Sequence, residues 1–364
     1  MELISLFKKI IQAKSETPDD GGLLDFIVSY LPEFRAVRVD RNGVKNLFIY
    51  KKFSEGEHLC FAGHVDVVPA GEGWSVDPYG AVEKDGYIYG RGTQDMKSGV
   101  TAFLQAVKEA KNFNGTLSLL LTSDEEGPAK DGTLAVLDYL KAEGMMPDSC
   151  IVAEPTCEAT FGDAIKIGRR GSINGVIQKH GKQGHAAYPE KAINPIHKVA
   201  QVLHHMAGVN LDEGDDNFAP SKFVVTDIRA GMEVTNVTPG KLKMMFNIRN
   251  STNTDQASVE AFVHKYFSEM NYTLELDQSA YPFMTDPNTK IVRTIDKAIE
   301  KVTGVKPKHS TAGGTSDARY IAPCGVDVIE FGVRNDTIHA PNERTTPEEV
   351  EQLFAVFKEV IASY

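Results

Sequence analysis

The segment Thr116-Leu-Ser-Leu-Leu-Leu-Thr-Ser-Asp-Glu-Glu-Gly127 decides the fold. Its apolar run shows no strict alternation with polar residues, which suits a strand buried on both faces, and such strands belong to parallel sheets covered by helices. The flanking sequence agrees. Upstream, Ile27–Leu31 closes a helix, and Leu47–Tyr50 and Leu59–Val68 read as strands. From Ser98 to Lys111 the spacing puts Val100, Phe103, Leu104 and Val107 on one helical face. Downstream, Leu134–Ala142 reads as a helix and Cys150–Ala153 as a short buried strand. Strand and helix in alternation predict an α/β layer with a mostly parallel sheet.

Near Gly171 the texture changes. Gly175–Lys179, Phe223–Ile228, Leu242–Ile248 and Tyr272–Leu276 tend to alternate apolar and polar residues, as an antiparallel sheet with one solvated face requires. Two helices, Pro195–Met206 and Gln256–Met270, would cover its other face. The α/β texture returns after Pro282, with a helix at Thr289–Thr303, a strand at Val326–Phe331 and a final helix at Pro347–Ala362. The expected fold is therefore α/β, a mostly parallel mixed sheet built from residues 1–170 and 282–364. An α+β domain, residues 171–281, is inserted into it as an antiparallel sheet plus two helices. The boundary turns Gly168-Arg-Arg-Gly171 and Tyr281-Pro282 read as a hinge. A chain of 364 residues also exceeds the ~250–300 residues at which one core usually splits.

Composition removes several function classes. Lys and Arg number 39 against 50 Asp and Glu, a net charge of −11, which argues against nucleic acid as a partner. No apolar run approaches the ~20 residues of a membrane span. The N-terminal stretch reads as an amphipathic helix with Leu3, Leu6, Ile10 and Ile11 inward, and not as a signal peptide. Four cysteines, Cys60, Cys150, Cys157 and Cys324, are too few for a disulfide scaffold and have no paired spacing for a thiolate metal site. A soluble protein of the reducing cytoplasm is expected.

Chemistry concentrates in four short segments and one downstream of them. In Phe61-Ala-Gly-His-Val-Asp-Val-Val-Pro69, His64 and Asp66 share a face if the chain is extended; a metal-bound imidazole commonly passes its other N–H to a carboxylate. Asp95, in Tyr89-Gly-Arg-Gly-Thr-Gln-Asp-Met-Lys-Ser-Gly99, is either a helix N-cap or a carboxylate bridging two cations. Asp124, Glu125 and Glu126 crowd three negative charges at the end of a buried strand. They form either a solvated loop or a set compensated by positive charge. Glu154 ends a strand and precedes Pro155, which keeps it extended. His339 lies in Thr337-Ile-His-Ala-Pro-Asn-Glu343. Taken together, they supply two ions, each with one imidazole and one carboxylate, sharing Asp95. Nitrogen and oxygen ligands without sulfur allow zinc, cobalt or manganese. Glu125 would move a proton from water to a leaving nitrogen, so the constellation reads as a hydrolase.

The order of these motifs resembles the metallohydrolases that include acetylornithine deacetylase, aminoacylase and carboxypeptidase G, over essentially the whole chain. The resemblance implies two zinc ions per subunit, with cobalt as a substitute: one held by His64, Asp95 and Glu154, the other by Asp95, Glu126 and His339. It implies Glu125 as acid/base and Asp66 as the residue behind His64. It also implies an inserted domain that serves as lid and homodimer interface. His185, in Gly181-Lys-Gln-Gly-His-Ala-Ala-Tyr-Pro189, would by resemblance reach the neighbouring subunit's site and stabilise the tetrahedral oxyanion.

The longer motifs, among them Gly168-Arg-Arg-Gly-Ser172 and Thr311-Ala-Gly-Gly-Thr-Ser-Asp-Ala-Arg319, are similar to members that remove a succinyl group from a diamino acid. Such a small N-acyl amino acid carries several carboxylates and calls for Arg forks and hydroxyl or amide donors. The matching candidates are Arg169, Ser172, Tyr188, Asn236, Arg249, Gly314 and Thr315, whose ordinary reading is turn and surface chemistry. A deacylase of the N-acetylornithine type and a dipeptidase are the alternatives. Arg334, in Gly332-Val-Arg-Asn-Asp336, adds a positive charge to which the sequence assigns no partner. His204 and His205 read as ordinary helix residues.

Overall fold

In the computed structural model, which describes residues 1–364, the Thr116–Thr122 run lies within a strand, Gly115–Thr122, whose last six residues are all buried. It is the third strand of an eight-stranded sheet. The spatial order is Arg35–Arg38, Asn46–Lys52, Gly115–Thr122, Glu57–His64, Ser149–Val152, Asp327–Glu330, Ala164–Lys166 and Lys308–Ser310. The four strands from Gly115–Thr122 to Asp327–Glu330 are mutually parallel, with His64 opposite Thr122, Ala62 opposite Val152 and Ile329 opposite Ile151. Antiparallel neighbours, Asn46–Lys52 and then Arg35–Arg38, extend one side. The sheet is thus mixed but mostly parallel, and the carboxyl ends of its central strands share one edge.

Helices cover this sheet because their apolar stripes match it. Lys97–Glu109 buries Val100, Phe103, Leu104 and Val107 completely, each contributing roughly 1.5–3 kcal/mol by removal from water. Phe61 of the sheet meets Phe103 at 5.9 Å and Phe357 of the last helix, Pro347–Ser363, at 5.2 Å between ring centroids. The last helix starts where its signals fall: Thr346 accepts from the Glu349 N–H, and Pro347 opens the first turn. Gly99 lets the Lys97–Glu109 helix approach the sheet closely, since a Cβ there would lie 2.3 Å from the Ala153 carbonyl oxygen.

The chain forms two units. The first comprises Met1–Gly168, Met284–Ser310 and Ser316–Tyr364; the second comprises Arg169–Phe283 and Thr311–Thr315. In the second, four antiparallel strands lie in the order Phe223–Ala230, Lys241–Ile248, Ser172–His180 and Tyr272–Ala280. Leu242, Met244, Phe246 and Ile248 alternate inward. They meet Val199 of the Pro195–Leu203 helix and Val259, Val263 and Phe267 of the Gln256–Phe267 helix.

Several expectations need correction. The strand read as Leu59–Val68 ends at His64, because the chain then leaves the sheet and Val67 bonds instead to Ser15. In the first helix, Leu3–Gln12, Phe7 is fully buried beside Leu6, Ile10 and Ile11, whereas Leu3 is only partly covered. Ala164–Lys166, Lys308–Ser310 and a small sheet of Val82–Lys84, Tyr87–Tyr89 and Arg344–Thr345 are too short to show a period. All four cysteines are free thiols. No helix is long and apolar enough to cross a membrane.

Candidate metal centre

The common carboxyl edge of the parallel strands gathers the acidic and imidazole groups, as open α/β sheets do. His64 ends its strand and is fully enclosed. Its Nδ1 donates to the main-chain oxygen of Asp66 at 2.9 Å, while the Asp66 carboxylate is farther, at 3.6 Å. The turn after the strand therefore fixes the imidazole through the Asp66 carbonyl. The Asp66 carboxylate accepts from the Glu126 N–H at 3.2 Å, tying the His64 loop to the acidic loop. With Nδ1 as donor, Nε2 is the lone-pair nitrogen once the imidazole is neutral. It lies 3.1 Å from Asp95 Oδ1 and 3.7 Å from Glu154 Oε1.

Asp95 is not the cap of the following helix: that position is Met96, which makes no side-chain cap. Its second oxygen, Oδ2, instead lies 3.4 Å from His339 Nε2. The same nitrogen is 2.9 Å from Glu126 Oε1. One carboxylate thus faces two imidazoles, each of which also faces a further carboxylate. His339 is held with φ 58°, in the left-handed region that non-glycine residues enter at a cost of roughly 1–2 kcal/mol. Of the three consecutive acids, Asp124 is a loop cap, accepting from the Lys130 and Asp131 N–H groups at 3.0 and 3.2 Å.

The electrostatics call for cations. Burial pushes Glu154 well above the usual carboxylate range, and repulsion from Asp95, Glu125 and Glu330 adds to it. Burial likewise raises Glu125, with Asp317, Glu126 and Asp95 repelling its charge. Asp66 rises to about 6 for the same first reason, although His64 opposes the shift. Burial of Asp95 works upward too, but its two imidazole partners outweigh it and hold it far below the usual range. Hydrogen bonds to Asp95 and Glu126 lift His339 to about 10. Without metal, then, Glu154, Glu125 and Asp66 resist ionising while His64 and His339 hold protons. Neutral imidazoles and ionised carboxylates are what divalent cations stabilise. His64, Asp95 and Glu126 already bring ligand atoms within 4.8 Å of one another. The donor set fits a pair of ions.

Sequence reasoning missed the support behind this cluster. Glu343 is fully buried and pairs with Arg91 at 2.8 Å. Gln94 joins the loop of Asp95 to that of His339 by donating to Asp336 and accepting from Thr337. Nothing in the sequence pairs these two distant segments. Gly92, at φ 85°, permits the turn, and a Cβ there would lie 2.6 Å from Val67. The Arg334 guanidinium engages Glu349, the partner the sequence did not assign.

The remaining candidates lie in the second unit. His185 is exposed, pairs in register with Val237, and its Nδ1 accepts from the Ala187 N–H at 3.1 Å. Asn236 adjoins it, its carbonyl accepting from Ala186. Tyr188 is exposed, with its ring 5.7 Å from that of His185. Arg169 is buried and donates to the Ala312 carbonyl at 3.0 Å, whereas Ser172 accepts from Asn247. Gly314 is exposed, and the neighbouring Thr315 Oγ1 is a buried hydroxyl lacking a hydrogen-bond partner. Arg249 is exposed and lines a surface cavity with Arg170 and Lys222.

An α/β sheet carrying such a carboxylate–imidazole cluster at its carboxyl edge defines a metal-dependent hydrolase. The chain belongs to peptidase family M20/M25/M40, whose model matches residues 60–363. It is 71% identical over 364 residues to a succinyl-diaminopimelate desuccinylase of a Nitratiruptor species, covering all of both chains. To the enzyme of that name from Sulfurimonas denitrificans it is 67% identical, again over the full length of both. Among solved structures, aminopeptidase PepT from Bacillus cereus shares the fold, with a TM-score of 0.83 and 21% identity over 99% of this chain and 97% of that one.

Proposed function

We propose that the chain hydrolyses N-succinyl-LL-2,6-diaminopimelate to LL-2,6-diaminopimelate and succinate, a step that supplies lysine and a cell-wall precursor in the cytoplasm. The observation that carries the chemistry is Asp95, whose two oxygens face His64 and His339 separately. The full-length similarity to the Nitratiruptor and Sulfurimonas desuccinylases carries the substrate.

In this reading His64, Asp95 and Glu154 hold one zinc ion, and Asp95, Glu126 and His339 the other, with cobalt able to substitute. When bound, such a pair polarises the amide carbonyl and makes water a nucleophile near neutral pH. Glu125 takes the proton from the attacking water and returns it to the leaving nitrogen as the amide C–N bond breaks. The Asp66 carbonyl keeps the His64 tautomer, and the Asp66 carboxylate keeps the acidic loop in register.

The second unit acts as lid and dimer surface. Its edge strand Phe223–Ala230 exposes Val224 and Ile228, and Met232 and Val234 are exposed just beyond, a surface that a second copy would cover. His185 accepts at Nδ1, so in its neutral form Nε2–H is the donor. That donor would stabilise the oxyanion of the tetrahedral adduct in the neighbouring subunit. Arg169, Ser172, Tyr188, Asn236, Arg249, Gly314 and Thr315 bind the substrate's carboxylates and amide. The basic cavity at Arg249 and the unpartnered Thr315 hydroxyl support that role. A parallel panel of N-succinyl-LL-diaminopimelate, N-acetylornithine and dipeptides tests the assignment. Preference for the succinylated substrate is expected, and preference for acetylornithine or a dipeptide would overturn it.

A further inference from the structure

The loops that carry Asp95 and His339 come from distant parts of the chain, and one buried carboxylate binds them together. Glu343 Oε1 accepts from the Gln94 and Asp95 N–H groups at 2.8 and 3.1 Å. Its Oε2 accepts from the Gly92 N–H at 3.0 Å and from Arg91 Nη1 at 2.8 Å. A single side chain thereby organises the backbone on which Asp95 sits. The other arm of Arg91 donates to the His339 carbonyl at 3.3 Å and to that of Ala70 at 3.1 Å. Gln94 adds a parallel tie, donating to Asp336 at 2.6 Å and accepting from both the N–H and hydroxyl of Thr337 at 2.9 Å.

We propose that Glu343, with Arg91 and Gln94, is a positioning device for the second metal position, fixing the Asp95 carboxylate against the His339 imidazole. This rests on the two-ion reading above. The physical reason is preorganisation. His339 is half exposed and in a left-handed backbone conformation, so its own packing holds it weakly. Asp95 must present two oxygens to two partners at once. Groups behind metal ligands that enforce such geometry are each worth roughly ten- to a hundredfold in metal affinity. His64 and Glu154 receive none of these contacts and share only Asp95 with the device, whereas the position of Glu126 and His339 depends on it through both Asp95 and the His339 loop, so the effect falls mainly there.

The test titrates Co2+ into metal-free wild type, Glu343→Gln and Gln94→Ala, reading bound ions per chain by equilibrium dialysis and the visible cobalt absorption. Glu343→Gln removes the charge and sets an amide NH2 against backbone donors. Gln94→Ala cuts only the parallel tie and leaves the buried ion pair intact, so it decides the matter if Glu343→Gln does not fold. Wild type is expected to take two ions. In the folded variants one of the two ions should lose about tenfold to a hundredfold in affinity with an altered cobalt spectrum, while the other is much less affected. Two ions at wild-type affinity and spectrum in the folded variants would overturn the positioning role alone. Fewer than two ions in wild type would overturn the two-ion reading, and this inference with it.

Discussion

Replacing Asp95 with Asn separates a bridging carboxylate from a merely structural one. The substitution preserves shape, so the loop ordered by Glu343 through the Asp95 N–H is retained. What changes is the pair of oxygens directed at His64 and His339, at 3.1 and 3.4 Å. Asn offers one neutral oxygen, leaving one position with a weakened donor and the other with an NH2 group that cannot ligate. A unit charge about 4 Å from a cation is worth about 4 kcal/mol at an effective dielectric near 20. At about 1.4 kcal/mol per decade that is roughly a thousandfold in affinity. Zinc titration of the metal-free variant at buffered free metal should therefore show one ion bound where wild type binds two, with hydrolysis lost. Two ions at wild-type affinity would refute a bridging role for Asp95.

Glu125→Gln should keep both ions and lower turnover by about 10²–10⁴, the usual range for a lost general base; a single-turnover assay showing near-normal cleavage would remove Glu125 from proton transfer. His185→Ala should leave metal content intact and reduce kcat by about 10²–10³, as removal of an oxyanion donor does, and unchanged turnover would exclude it. Metal uptake should release protons at pH 7, because His339 is lifted to about 10 by Asp95 and Glu126 and only the neutral imidazole ligates. The sign follows from linkage: the imidazolium pairing stabilises the metal-free fold fully below the ordinary value of 6.5 and is lost as pH rises through about 10. Affinity at that position should accordingly climb about tenfold per pH unit toward that value. Calorimetry in buffers of different ionisation enthalpy reads this release, and heats independent of buffer would contradict it.

The parallel sheet was legible because Leu119-Leu-Leu121 and Cys150-Ile-Val152 are apolar runs without alternation, as in strands covered on both sides. The helix Lys97–Glu109 was legible because four fully buried side chains recur at helical spacing. Three-residue strands such as Ala164–Lys166 were not, since a period of two needs more residues to declare itself. Among the acids, the sequence marked Asp124, Glu125 and Glu126 alike, and only the loop's N–H groups reveal Asp124 as a cap. The histidine–aspartate spacing suggested a carboxylate behind His64. The end of the strand at His64 puts the Asp66 carbonyl there instead. Arg91 and Glu343 lie 252 residues apart, and no local pattern encodes such a pairing.

The most direct test of the central claim is cleavage of N-succinyl-LL-2,6-diaminopimelate by metal-free protein with zinc titrated back. No amide cleavage is expected without metal, and activity should rise as zinc is restored, levelling once two ions are bound per chain. Cleavage by fully metal-free protein, or none when zinc saturates it, would rule out metal-dependent hydrolysis of this substrate.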